Sequence, residues 1–317
     1  MNILLTGANG FLGKPLLKEL INNSYTVTAS SRRISLLPSG CTGFGIVNID
    51  SKTNWSSVLS QQDIVIHCAA RVHVMDEKSS NPLEEFREVN TRGTINLAKQ
   101  AANAGVKRFI FISSIKVGGE SSLLGTPLTE DSKYVPDDPY GLSKYEAEQQ
   151  LLELAKNSAM EVVIIRPTLI YGPGVKANFE TMMNWASKPI PLPFGAITNK
   201  RSLVSIDNLI SLIEVCLTHP NAKNEIFYVN DDNDVSTSDL LRKLYRSFSN
   251  KTPLIPMPMS LISLLFKLIG KGGYSARLLG SLQVDISKAK TLLNWTPPYS
   301  VDDSIDKTVK HFIKLRK

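Results

Sequence analysis

Short apolar runs rich in β-branched residues recur at positions 2–5, 26–29, 63–67, 108–112 and 161–165, and segments of helical texture separate them. Runs of this length suit strands buried on both faces, and their alternation with helices predicts a parallel sheet wrapped on both sides. The expected fold class is α/β, a Rossmann-type doubly wound sheet. After Pro167 the texture changes to glycine- and proline-rich loops, among them Tyr171-Gly-Pro-Gly174 and Lys188-Pro-Ile-Pro-Leu-Pro-Phe-Gly195. We read residues 1–167 as one domain and 168–317 mainly as a smaller second lobe. A further strand-like run at 225–229 returns to the first domain, so the boundary is interleaved.

The most apolar stretch, residues 260–269 (SLISLLFKLI), is about half the length that a bilayer-spanning helix needs. It predicts a helix packed on the second lobe, with an interfacial anchor beside Lys267 and Lys271 as the alternative.

Composition adds little to this picture. The 317 residues are 42% hydrophobic and 21% charged, an ordinary globular balance. Cys41, Cys68 and Cys216 are far apart and lack ligand spacing, which points to neither a disulfide framework nor a metal site and fits a reducing cytoplasm. Met1 runs straight into the first apolar run, without the features of a secretion signal. The formal charge of +7 comes from scattered residues, and no nucleic-acid-binding motif accompanies it. A phosphate-bearing small molecule remains compatible with that charge.

The first strand runs into Thr6-Gly7-Ala8-Asn9-Gly10-Phe11-Leu12-Gly13, followed by a helical segment at 14–22. Glycines there allow a tight turn and close backbone approach to a pyrophosphate, which the helix N-terminus attracts. Residues 1–167 are therefore expected to bind NAD(P). At the end of the second strand, where an NAD-selective site offers a carboxylate to the ribose, the chain reads Ala29-Ser30-Ser31-Arg32-Arg33. Arg32 or Arg33 suits a 2′-phosphate, so the expectation leans to NADP(H) over NAD(H).

Tyr140 and Lys144 are four residues apart and share one helix face. A phenol has an ordinary pKa of about 10, so a fixed cation nearby makes its anion accessible as a base. Ser114 follows the strand at 108–112, at the sheet edge where α/β proteins bind ligands, and can hydrogen-bond a reacting oxygen.

Together with His67-Cys-Ala-Ala70, Asn90-Thr-Arg-Gly93-Thr94 and Arg166-Pro167 through Tyr171-Gly172-Pro173, these features resemble the extended short-chain dehydrogenase/reductases, the NAD-dependent epimerase/dehydratase group that acts on nucleotide sugars. The resemblance runs over nearly the whole chain. It implies a catalytic set of Ser114, Tyr140 and Lys144, with Asn90 in the framework of the site. The implied cofactor contacts are Gly7, Asn9, Gly10, Phe11, Leu12, Gly13, Arg32, Ala69, Lys144 and Pro167. Asn48 and Ile49 stand near the adenine, where relatives carry Asp-Ile or Asp-Leu. In the second lobe it implies substrate contacts from Asn178 in a loop, from Phe194 beside the base, and from Arg201 and Arg277 on the diphosphate of a UDP-sugar. No metal is implied. Relatives commonly dimerise through two helices, which here correspond to 84–102 and 140–156.

Reaction type divides at the residues after Ser114. A 4,6-dehydratase uses an Asp-Glu pair where this chain has Ile115 and Lys116, so elimination of water is disfavoured. Two reactions at sugar C4 remain. The arginines after the second strand lean toward reduction of a 4-keto(-6-deoxy) hexosamine; the alternative is a UDP-glucose or UDP-N-acetylglucosamine 4-epimerase. Either implies a role in polysaccharide biosynthesis. A non-catalytic nucleotide-sensing module is the hypothesis from another class, and it would have no need of the retained Ser114, Tyr140 and Lys144.

Overall fold

The structure, a computed structural model, describes residues 1–72, 81–268, 270 and 278–316. Its centre is a sheet of seven parallel strands in the order β3-β2-β1-β4-β5-β6-β9. These are β1 (Asn2–Thr6), β2 (Thr26–Ser31), β3 (Thr42–Gly45), β4 (Ile64–His67), β5 (Arg108–Ile112), β6 (Glu161–Pro167) and β9 (Ile226–Val229). A separate parallel pair joins β7 (Leu169–Tyr171) to β8 (Leu203–Ser205).

The inner strands are apolar on both faces because both are covered. Ile3, Leu5, Ile110, Ile112, Val163 and Ile165 point into one core. Their neighbours Leu4, Phe109, Phe111, Val162 and Ile164 point into another. The first core is closed by α1 (Gly13–Asn22) and α7 (Ile206–Thr218). The opposite one is closed by α2 (Ser56–Leu59), α4 (Thr94–Asn103) and α5 (Pro139–Lys156). Ahead of α4, α3 (Pro82–Phe86) runs through a π-helical turn at Arg87–Gly93.

The second lobe has its own core, built from α6 (Ala177–Ala186), α8 (Thr237–Ser247), α9 (Met259–Leu268) and the C-terminal α11 (Val301–Lys314); the shorter α10 (Ser287–Leu293) packs on the first core. Serine caps set α7, α8 and α11: Ser205, Ser236 and Ser300 each accept from the backbone N–H three residues on, a contact worth about 1 kcal/mol.

Strand order reverses about β1 and β4, which are paired so that Thr6 lies opposite His67. The crevice beyond their carboxyl ends is the expected ligand position of such a sheet.

Candidate active site

The turn after β1 is shaped by absence of side chains. Gly7 has φ +71°, and a Cβ on it would meet the Ala69 nitrogen at 2.8 Å; a Cβ on Gly13 would meet the Gly7 carbonyl oxygen at 2.1 Å. The Gly10 amide closes the turn by donating to the Gly7 oxygen over 2.8 Å. No side chain caps the start of α1 and no acid stands in its first turn. The helix end therefore keeps N–H groups for an anion, and the cradle fits a dinucleotide pyrophosphate.

Phe11 is exposed and Leu12 buried at the start of this helix. The Asn9 amide donates to Ser31 Oγ at 2.5 Å and to the Arg33 carbonyl at 3.1 Å, fastening the glycine turn to the end of β2. Arg32 is exposed there, and the end of β2 carries no carboxylate. Asn48 is exposed and its carbonyl accepts from Thr53 Oγ1, while Ile49 packs at the margin of the core beneath α4. Pro167 is buried at the end of β6, opposite Val229.

Under the crevice lies a polar chain that sequence reasoning missed. His67 Nδ1 meets Thr6 Oγ1 at 2.7 Å and its Nε2 meets Thr94 Oγ1 at 3.0 Å, linking β1, β4 and α4. Burial, helped by the charge of Lys144, pushes His67 down to a pKa of about 3, so the ring is neutral.

The catalytic candidates converge from two elements. Ser114 ends the strand segment and caps a short 3-10 turn by accepting from the Lys116 amide at 3.3 Å. Tyr140 enters on the first turn of α5, which Asp138 caps through the Gly141 amide. Its ring packs edge-on to Phe86 at 6.0 Å. The Ser114 hydroxyl lies close enough to the phenol to favour its anion. Burial raises the phenol to about 12 and the Asp138 charge adds to that, against the opposing pull of Ser114.

Lys144 is held against β5. Its Nζ donates to the Ile112 carbonyl at 2.9 Å and sits 4.4 Å from the centre of the Phe111 ring. Burial lowers its pKa to about 8, against the opposing pull of Cys68 and Glu148. The four-residue spacing places both groups on one helix face, and the ammonium is held against β5. A lysine there is held at the floor of the crevice, in reach of a ribose hydroxyl.

The helix that carries both residues is fastened to its neighbours. Asn90, within the π-helical turn, accepts from the Arg71 amide at 2.8 Å and donates to Ser143 Oγ at 3.0 Å. Glu148, one turn beyond Lys144, is buried and gripped by Arg166 of β6 at 2.6 Å, and it also accepts from Ser113 Oγ. After Ser114, Ile115 is buried and Lys116 pairs with Glu120 at 2.7 Å and Asp138 at 2.9 Å. Burial opposes the Lys116 charge, yet these two carboxylates hold it above its ordinary range. The place of a dehydratase acid pair is thus filled by a hydrophobe and a neutralised ammonium.

In the second lobe, Asn178 stands on the first turn of α6, not in a loop, and is exposed. Phe194 is buried in the second core, 5.8 Å from Trp185, and its carbonyl accepts from Ser238. Arg201 is half-buried and its guanidinium donates to the Gly280 carbonyl at 3.0 Å. Arg277 lies outside the described residues. No group of His, Cys, Asp and Glu among the described residues has a metal-binding arrangement.

The sequence pattern of the NAD dependent epimerase/dehydratase family matches residues 3–229, which span the whole seven-stranded sheet. The chain belongs to this family. It is an extended short-chain dehydrogenase/reductase, an enzyme of the nucleotide-sugar epimerase/reductase type, as the resemblance implied. A UDP-glucose 4-epimerase of Vibrio cholerae is 50% identical over 314 residues, 99% of this chain and 96% of that protein. More distant is the N-acetyl-alpha-D-glucosaminyl-diphospho-ditrans,octacis-undecaprenol 4-epimerase of Escherichia coli O157:H7, 26% identical over 332 residues, all of this chain and 97% of that one. Among solved structures, the UDP-glucuronic acid 4-epimerase of Bacillus cereus in complex with NAD superposes with a TM-score of 0.80 at 25% identity, covering both chains fully.

Proposed function

We propose that this family member is a UDP-hexose 4-epimerase using NAD(H), with UDP-glucose or UDP-N-acetylglucosamine as the substrate pair to test first. The observation that carries the reading is the 50% identity to a UDP-glucose 4-epimerase along 99% of the chain. Family membership supports NAD(H) in place of the NADP(H) suggested by Arg32, while the glycine cradle suits the pyrophosphate of either. When bound, the cofactor takes a hydride from the sugar and returns it.

In this reading Ser114 and Tyr140 act on one sugar oxygen. Tyr140 accepts the C4 hydroxyl proton as hydride leaves, and gives it back after the ring has turned. Ser114 holds that oxygen and favours the anion of the phenol. Lys144 orients the ribose from the crevice floor. Arg201 and Arg277 serve the diphosphate, and Asn178 and Phe194 border the substrate pocket. The homodimer would form through α3–α4 and α5.

The absence of a carboxylate at the end of β2, together with Arg32, favours a second reading, NADPH-dependent reduction of a 4-keto sugar. Gel filtration followed by acid release and chromatography of the retained nucleotide separates the two. Stoichiometric NAD⁺ or NADH supports the epimerase; NADP(H) retention, with NADPH oxidised by a UDP-4-keto sugar, supports the reductase.

A further inference from the structure

Helix α9 is apolar on two opposite sides. Met259, Ile262 and Phe266 face the second core, and of its ten residues Ile262 alone is described as fully buried. The expected packing helix is therefore only half of what is there. Leu261, Leu264, Leu265 and Leu268 fall at i, i+3, i+4 and i+7 and are 43, 51, 45 and 74% exposed. They form one outward stripe, where a helix that faces water carries polar residues.

Along the chain on either side of this stripe, charge has one sign. No Asp or Glu occurs from Leu240 to Val284, whereas seven lysines and arginines do. Arg242, Arg246 and Lys251 line a shallow concavity with Leu254, directly before the exposed Ile255 that leads into α9. Arg242 also reaches Asp239 at 3.0 Å, just outside the acid-free stretch, and Lys243 is paired with Asp302 at 2.7 Å. Lys267 lies on α9 itself and is exposed.

We propose that α9 and its basic surroundings dock the second lobe on an anionic bilayer surface. The helix lies in the interface plane with its leucine stripe at the acyl boundary, and Arg246, Lys251 and Lys267 face headgroup phosphates. No described helix is long and apolar enough to cross a membrane, so the contact is peripheral. A second copy is the poorer occupant, because a twofold interface would set Arg246, Lys251 and Lys267 against their own counterparts.

The test uses the full chain and sedimentable vesicles, either equimolar phosphatidylcholine and phosphatidylglycerol or phosphatidylcholine alone. The protein is expected to sediment with the anionic vesicles, less so as salt rises. The double variant Leu264→Asp, Leu265→Asp should lower partitioning by at least about tenfold, and Lys267→Glu by a smaller factor, with unchanged thermal unfolding and unchanged turnover of soluble substrate. Failure to sediment with anionic vesicles overturns the proposal, as does undiminished binding by the leucine variant. A lipid-independent dimer that the same variant dissolves also overturns it, in favour of self-association.

Discussion

Arg166 on β6 clasps both carboxylate oxygens of Glu148, with contacts of 2.6 to 3.1 Å, one helical turn beyond Lys144. Neither side chain has appreciable exposure, and Glu148 also holds Ser113, the residue before Ser114. The pair thus sets the distance between the serine turn and the helix that carries the phenol.

Removing one partner leaves an unmatched charge in the interior. Arg166→Met should lower stability by about 3–5 kcal/mol in denaturant unfolding. The double variant Arg166→Met, Glu148→Leu should regain much of that, because no buried charge is left. Equal stability of the single variant and the parent would show that the pair does not hold the two elements.

Tyr140, at the head of α5 and next to Ser114, is the proton carrier in the proposed reaction. Tyr140→Phe should reduce kcat by about a hundred- to ten-thousandfold, with retained cofactor binding measured by fluorescence titration. Turnover close to that of the parent would remove Tyr140 from the chemistry.

Burial brings Lys144 down to about 8, whereas its unfolded value is near 10.5. The folded state binds fewer protons than the unfolded one across that window. Its contribution to stability is therefore least below pH 8 and grows as pH rises toward 10.5. Activity has the opposite sign, since the ammonium that orients the ribose is lost above about 8. The pH profile of kcat/KM should fall on an alkaline limb near that value, and Lys144→Arg should move the limb upward while lowering the plateau. A limb unmoved by Lys144→Arg assigns it to another group.

The strands were legible because the inner ones are apolar on both faces, a pattern that local sequence carries by itself. The glycine turn was legible for a similar reason, since Gly7, Gly10 and Gly13 perform their task within a single turn. What escaped depends on partners distant in sequence. His67 reads as one more residue of an apolar strand, and only the fold brings Thr6 and Thr94 to its two nitrogens. Spacing put Lys144 on the face of Tyr140, but the carbonyl of Ile112, 32 residues earlier, decides where the ammonium rests. Phe194 and Asn178 were implied by the resemblance, with Asn178 in a loop, yet one is taken into the second core and the other opens a helix. The outward leucines of α9 were visible as apolar residues, while their side of the helix was not.

The central claim is reversible inversion at C4 with no net use of cofactor. Proton NMR of purified protein with UDP-glucose, run in parallel with UDP-N-acetylglucosamine, observes it directly. The account predicts growth of the anomeric signal of the C4 epimer for at least one of the two substrates, to an equilibrium mixture reached from either side, with no stoichiometric change in NAD(H) absorbance. No conversion of either sugar, together with one-for-one oxidation of NADPH by a UDP-4-keto sugar, would contradict it.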